Sequence, residues 1–348
     1  MTDTSASPHP DARIRVKVMS REAERTWLRQ LPDDDPRWGR CDFLFDPEAR
    51  DYDWLVVYND LPRRGGGVEQ LACPREHTLL VTTEPSSIKA YGKAYAAQFG
   101  CVLTSQEDWA LPHPDRIYTQ PALHWFYGIG ADRAVTFSQM RAAQPPQKTR
   151  GVSMVWSGKA QRHTLHNRRA EFMRRIRAAL PDLDVYGRGV RPLDDKAEAL
   201  DAYRYHIAIE NHIGPHHWTE KLADPFLGFT LPFYCGCPNA AEYFPPESFI
   251  PIEIRDFDAA VATIVRAVEN DEYAKRLPYI VEARRRVLED YNFFAVVARE
   301  IEKRHAPRAA APATLYSRHA LRKKHPLLRL SQAYEVVRAR LMSLRRAD

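Results

Sequence analysis

The chain has 348 residues, of which 44% are hydrophobic and 28% charged, with a formal net charge of +6; at roughly 100 to 200 residues per domain, this predicts two domains with sizeable cores. Residues 305–348 carry +8 and the preceding 304 carry −2, so the basic character is local and argues against a nucleic-acid groove across the fold. No run of about 20 apolar residues is present to predict a membrane-spanning helix, and the polar start at residues 1–12 lacks the apolar segment of a secretory signal, so a cytoplasmic location is expected. Five cysteines (Cys41, Cys73, Cys101, Cys235, Cys237) form no C-x-x-C pair and are expected as free thiols.

In the first half, Ile14, Val16 and Val18 alternate with Arg13, Arg15 and Lys17, predicting a strand with one wet face, followed by a short helix over 21–31. The runs 53–58 and 78–83 are continuously apolar or β-branched, the pattern of strands covered on both faces. The triple glycine between them has neither a Lys-Ser/Thr ending nor a GxGxxG spacing and reads as a turn. Next come Glu84-Pro85-Ser86-Ser87, a helical pattern over 88–99 and a strand at 101–104. This places Glu84 at the carboxyl tip of a strand, either as a surface carboxylate at a helix start or as a functional group. Residues 112–130 gather His113, Tyr118, His124, Trp125, Phe126 and Tyr127, either as core or as a sugar-stacking surface. A linker is expected at 142–149.

The second half restarts the alternation. A strand at 152–157, a loop at 158–163 and a helix at 164–180 lead to a strand at 184–187 and a helical stretch at 196–203. The strand at 205–209 ends in Glu210 and Asn211; a turn with Gly214 and Pro215 then precedes a helix at 219–228 whose first turn holds Glu220 and Lys221. Strands at 231–234 and 248–252 and a helix at 256–269 follow. Repeated βα units on either side of a linker predict an α/β chain of two Rossmann-like domains facing a cleft, at 1–145 and 150–304, the B-type glycosyltransferase architecture among others. Ligands of such sheets sit beyond the carboxyl ends of the strands, where helix N-termini favour anions.

Four spaced blocks carry a resemblance. "YRYHIAIENH", "WTEKL", "LGFTLPFYCG" and "FPPESFIPI" followed by "DF", with "VSMVWSGKAQRHTLHNRRAEF" and "LDVYGRG" upstream, resemble the C-terminal signature of the family 10 glycosyltransferases, the α1,3/4-fucosyltransferases, over residues 152–257. The resemblance implies an inverting transferase that uses GDP-fucose, requires no metal or other cofactor, and acts on a hydroxyl of an acceptor glycan, often N-acetylglucosamine. The first domain would take the acceptor and the second the donor. By position it assigns donor contacts to Arg169, Asn211, His217, Glu220 and Lys221. The chain departs from the family's usual Tyr at His217 and Ser at His212, and these departures keep open another donor such as GDP-mannose. A noncatalytic glycan- or membrane-binding protein with the same fold is a third reading.

The residue types suit this chemistry on their own. Without a metal, a departing diphosphate needs cations and backbone N–H groups, which Lys221 and Arg169 can supply. Inversion needs a base on the opposite face of the sugar. The resemblance points to a glutamate of the first domain, matched loosely by Glu84, with Glu107 as the rival. His206, His212, His216 and His217 suggest a metal, but adjacent imidazoles with no carboxylate ligand set argue against one.

Beyond a linker at 306–313, residues 305–348 read as a basic amphipathic tail. Leu327, Leu330, Tyr334, Val337, Leu341 and Leu344 recur on one helix face among arginines. Such a helix fits an anionic membrane surface, and equally its own body or a second copy of the chain in a homodimer.

Overall fold

A computed structural model describes residues 12–156, 166–187 and 189–347; the expected loop at 158–163 lies outside them. Strands β1 (Ile14–Met19), β2 (Arg37–Trp38), β3 (Cys41–Leu44) and β4 (Trp54–Tyr58) open the chain. After β5 (Val68–Gln70) come β6 (Thr78–Val81), β7 (Cys101–Thr104) and β8 (Arg116–Tyr118). All but β5 form one sheet in the order β2-β3-β1-β4-β6-β7-β8, parallel except where β2 meets β3. Every residue of β4, β6 and β7 is buried, as their continuous apolar runs require. Alternate side chains enter two separate cores. Trp54, Val56 and Tyr58 pack on one face, Leu55 and Val57 on the other.

The second sheet consists of β9 (Arg150–Val155), β10 (Asp184–Tyr186), β11 (Tyr203–Ile209), β12 (Leu231–Cys235) and β13 (Ile250–Pro251). Its order is β10-β9-β11-β12-β13, parallel throughout.

Ten helices surround the sheets in the described residues. In the first half are α1 (Glu24–Leu28), α2 (Lys93–Ala96) and α3 (Phe137–Ala142), and in the second α4 (His166–Ala179), α5 (Glu220–Leu227), α6 (Phe257–Glu269) and α7 (Glu272–Glu289). The chain closes with α8 (Phe293–Arg304), a strand β14 (Thr314–Tyr316), α9 (Arg318–Lys324) and α10 (Leu328–Ala347). The helix expected over 88–99 is limited to α2, because Gly92 at φ +96° breaks it. The stretch 196–203 is one 3₁₀ turn at Lys196–Ala199, and Tyr203 already belongs to β11.

Two domain limits need correction. Phe293, Phe294, Val297 and Ile301 of α8 are fully buried in the first sheet's core beside Trp27 and Phe43, so the first body takes its closing helix from the far end of the range assigned to the second. Nor is 305–348 a separate tail: β14 pairs antiparallel with β5, and Leu315 and Leu321 join the core on the sheet's other face. Hydrophobic burial decides both cases, since those faces of the sheet would otherwise stand in water. The basic helix α10 keeps its apolar side outward, with Leu327, just before it, 80% exposed and Leu330 72% exposed.

Candidate active site

The carboxyl ends of both sheets open on one cleft of about 450 Å³. The first sheet contributes Tyr58 at the end of β4, Asn59 just after it, and Thr83, Glu84 and Pro85 after β6; the second contributes Met154 and Val155 from β9 and the end of β11. Glu84, Arg169, Asn211, His217, Glu220 and Lys221 all line this cleft. The rival carboxylate Glu107 does not line it; it accepts a 2.7 Å hydrogen bond from Ser86 Oγ behind it.

The second-sheet wall is a lattice of charge around the start of α5. Thr219 caps that helix, its hydroxyl accepting from Lys221 N at 3.3 Å. Glu210 is fully buried at the end of β11 and accepts from Thr219 N at 2.9 Å and from Thr219 Oγ1 at 2.8 and 2.9 Å. Lys221 Nζ lies 2.8 Å from Glu220 Oε1 and 3.7 Å from Glu210 Oε2. Lys196 Nζ lies 3.9 Å from Glu220 Oε1 and 2.7 Å from Asp224 Oδ2.

Burial would raise the Glu220 carboxyl, but the Lys221 and Lys196 ammonium groups hold it well below the carboxylate range. For Glu210 and Asp224 burial prevails over the neighbouring lysine, and both are raised. Burial works against the Lys221 ammonium, yet Glu220 and Glu210 together keep it raised and charged. Its side chain retains 23% exposure toward the cleft.

Arg169, 4% exposed on α4, donates a short hydrogen bond to Asn211 Oδ1. Its Nε is buried without a partner, leaving a donor unused, and burial lowers the group against the pull of Glu210 and Glu220. A buried guanidinium with a spare donor beside a helix start that carries an ammonium is suited to an anion, above all a diphosphate.

The histidines behave differently from one another. His206 in β11 bonds Ser153 Oγ at 2.8 Å, and burial lowers it to about 3. His212 bonds Ser87 Oγ at 3.0 Å and His217 bonds Ser105 Oγ at 2.9 Å, both serines belonging to the first body. Burial, then His212 and Lys221, push His217 well down, so a neutral ring faces the cleft. His216, at φ +61°, bonds Tyr243 Oη at 2.6 Å and meets the Tyr118 ring edge-on at 4.6 Å. Loop 212–217 is thus a seam between the bodies. No group of three or more His, Cys, Asp or Glu suited to a metal occurs among the described residues. The aromatic stretch divides in the same way: Trp125 is core, whereas His124 and Phe126 line the cleft.

Lys196 and Asp224 escaped the sequence reading, and Glu210, placed there at the end of the strand, was given no role. Glu210 did carry a signal, a carboxylate directly after the buried run 205–209. Lys196 and Asp224 carried none, since only the fold brings them together.

Residues 145–277 match the family model described as glycosyltransferase family 10 (fucosyltransferase) C-term, a span that encloses the resemblance read over 152–257. The chain is 35% identical over 68 residues to "Alpha-(1,3)-fucosyltransferase FucT" of Helicobacter pylori, covering 19% of this chain and 14% of that protein. It is 30% identical over 103 residues to human "4-galactosyl-N-acetylglucosaminide 3-alpha-L-fucosyltransferase FUT6", 28% of each chain. These matches therefore span about a seventh and about a quarter of the relatives' lengths. Among solved structures, "Crystal Structure of alpha1,3-Fucosyltransferase with GDP-fucose" aligns with a TM-score of 0.44 and 17% identity over 80% of this chain and 84% of that one.

Proposed function

We propose that this chain, which carries a glycosyltransferase family 10 (fucosyltransferase) C-terminal domain over residues 145–277, is an inverting fucosyltransferase that moves fucose from GDP-fucose to a hydroxyl of an N-acetylglucosamine-containing surface glycan or its precursor. The observation that carries the proposal is one cleft with Arg169, Lys221 and the start of α5 on one wall and Glu84 on the other. The cations and the helix start grip the diphosphate and stabilise the charge that grows as it leaves. Glu84 takes the proton from the acceptor hydroxyl, whose oxygen attacks the sugar from the face opposite the diphosphate. Glu220, held ionised, is an acceptor for ribose or fucose hydroxyls. The chemistry needs no metal, because the side chains themselves supply the positive charge. Fucose is favoured over GDP-mannose by the family of the matched domain.

The reading extends to location. The exposed apolar face of α10, set among Arg329, Arg338 and the lysines of α9, suits the anionic inner face of a membrane, with the body in the cytoplasm. The deciding experiment is a nucleotide-sugar panel followed by GDP release with an N-acetylglucosamine-containing oligosaccharide. GDP-fucose should be the active donor and Lys221→Ala should abolish turnover. Preference for another sugar nucleotide, or full turnover by the variant, would overturn the assignment.

A further inference from the structure

The segment that bears Glu84 is held from behind by residues that never reach the cleft. Tyr91, fully buried, accepts hydrogen bonds at its hydroxyl from Thr83 N at 2.9 Å and Glu84 N at 3.4 Å, and donates to Asn59 Oδ1 at 2.9 Å. Gln106, 1% exposed, donates through Nε2 to Glu84 O at 2.7 Å and to Lys89 O at 2.8 Å. The backbone N–H and C=O of Glu84 are therefore both fixed by buried side chains. That is firm support for a residue in a loop with no ladder of its own.

The support does not end in the first half of the chain. The pairing of β14 with β5 carries Arg318 against the outer side of the same loop. Arg318 Nε donates to Tyr91 O at 3.1 Å and Nη2 to Ala90 O at 2.5 Å, while its own backbone N–H bonds Asp60 Oδ1 at 3.1 Å. Two consecutive loop carbonyls, one of them belonging to Tyr91, are thus clamped by one guanidinium fork. Loop 85–92 contains no helix or strand; besides a turn in which Ile88 N and Lys89 N each donate to Pro85 O at 3.0 Å, these side-chain contacts hold it.

We propose that Arg318, acting through Tyr91, is a positioning residue that holds Glu84 at its place in the cleft, so that the C-terminal arm completes the catalytic geometry. This rests on the fucosyltransfer reading, in which Glu84 is the base. The physical reason is the steep distance dependence of proton transfer and attack. A displacement of about 1 Å at a reacting group costs on the order of 100-fold in rate.

The test compares wild type, Arg318→Ala, Arg318→Lys and Tyr91→Phe in the full chain, with GDP-fucose and an N-acetylglucosamine-containing oligosaccharide. Arg318→Ala and Tyr91→Phe should each lower kcat roughly tenfold or more while the KM for GDP-fucose stays within about twofold, because the donor wall is untouched. Lysine at 318, which can still donate to a carbonyl, should recover part of the loss. If the alanine variant does not fold, Tyr91→Phe decides, since removing one hydroxyl leaves the ring packing in place. Unchanged kcat in either variant, or a fall matched by equal loss of donor affinity, would overturn the inference with the functional reading intact. An inactive wild type would overturn the functional reading itself, before any variant is compared.

Discussion

Glu84 and Glu210 are two carboxylates of one cleft with opposite surroundings. Glu84 is exposed at a strand tip, whereas Glu210 is buried among the hydroxyl and amide of Thr219. Under the proposed reaction, the exposed one is the carboxylate assigned to the acceptor hydroxyl. Replacing Glu84 by Gln should lower kcat by on the order of 100-fold to 10,000-fold, with GDP-fucose binding preserved by calorimetry. Wild-type turnover would remove the assignment. His206 gives a second test. Its folded pKa, about 3, lies below the unfolded value, so the unfolded chain binds the extra proton below pH 6.5. Stability is then complete above pH 6.5 and falls as pH falls, by about 2 kcal/mol at pH 5 for this residue alone. Denaturant midpoints at pH 7 and 5 should differ less in His206→Asn than in wild type. At this scale the sequence disclosed residue types that announce chemistry: a Glu-Lys pair opening a helix, an arginine before Phe172, a glutamate after a strand. It did not disclose the serine partners of His212 and His217, which lie more than 100 residues away in the chain.

Among the elements, α5 is the one on which the site turns. Its N-cap Thr219 serves two purposes, satisfying the helix start and engaging Glu210. Thr219→Ala should therefore cost more than the roughly 1 kcal/mol of an ordinary cap, because it also strips a hydrogen bond from a buried carboxylate. Chemical unfolding would show it, and Thr219→Ser should restore most of the loss. The helix α10 makes a different kind of prediction. Leu330→Asp with Tyr334→Asp should abolish flotation with anionic vesicles while fucosyl transfer in solution continues; unchanged flotation would dismiss the membrane contact. Strands β4 and β6 were legible because full burial writes itself as an unbroken apolar or β-branched run. The interrupted helix at 88–99 was not, because its periodicity persists through Gly92 while the backbone there takes a left-handed turn.

For the whole molecule, the two sheets and their parallel order followed from the βα alternation, but the path of the last 60 or so residues did not, since an amphipathic helix does not declare which body it covers. The structure sends α8 back to the first sheet, where Phe294 meets Phe43 at 4.8 Å and Phe293 meets Trp27 at 4.6 Å. Phe294→Ala should destabilise the first body by about 3 to 5 kcal/mol, seen as a lowered urea midpoint of its own transition. This return path also governs the order of events at the ribosome. The first sheet is fully synthesised once β8 emerges, yet its apolar face stays open until residues 293–301 follow. At about 5 to 20 residues per second, that interval is on the order of ten to forty seconds. The second sheet can therefore fold while the first is still waiting, so the half made first is the half finished last.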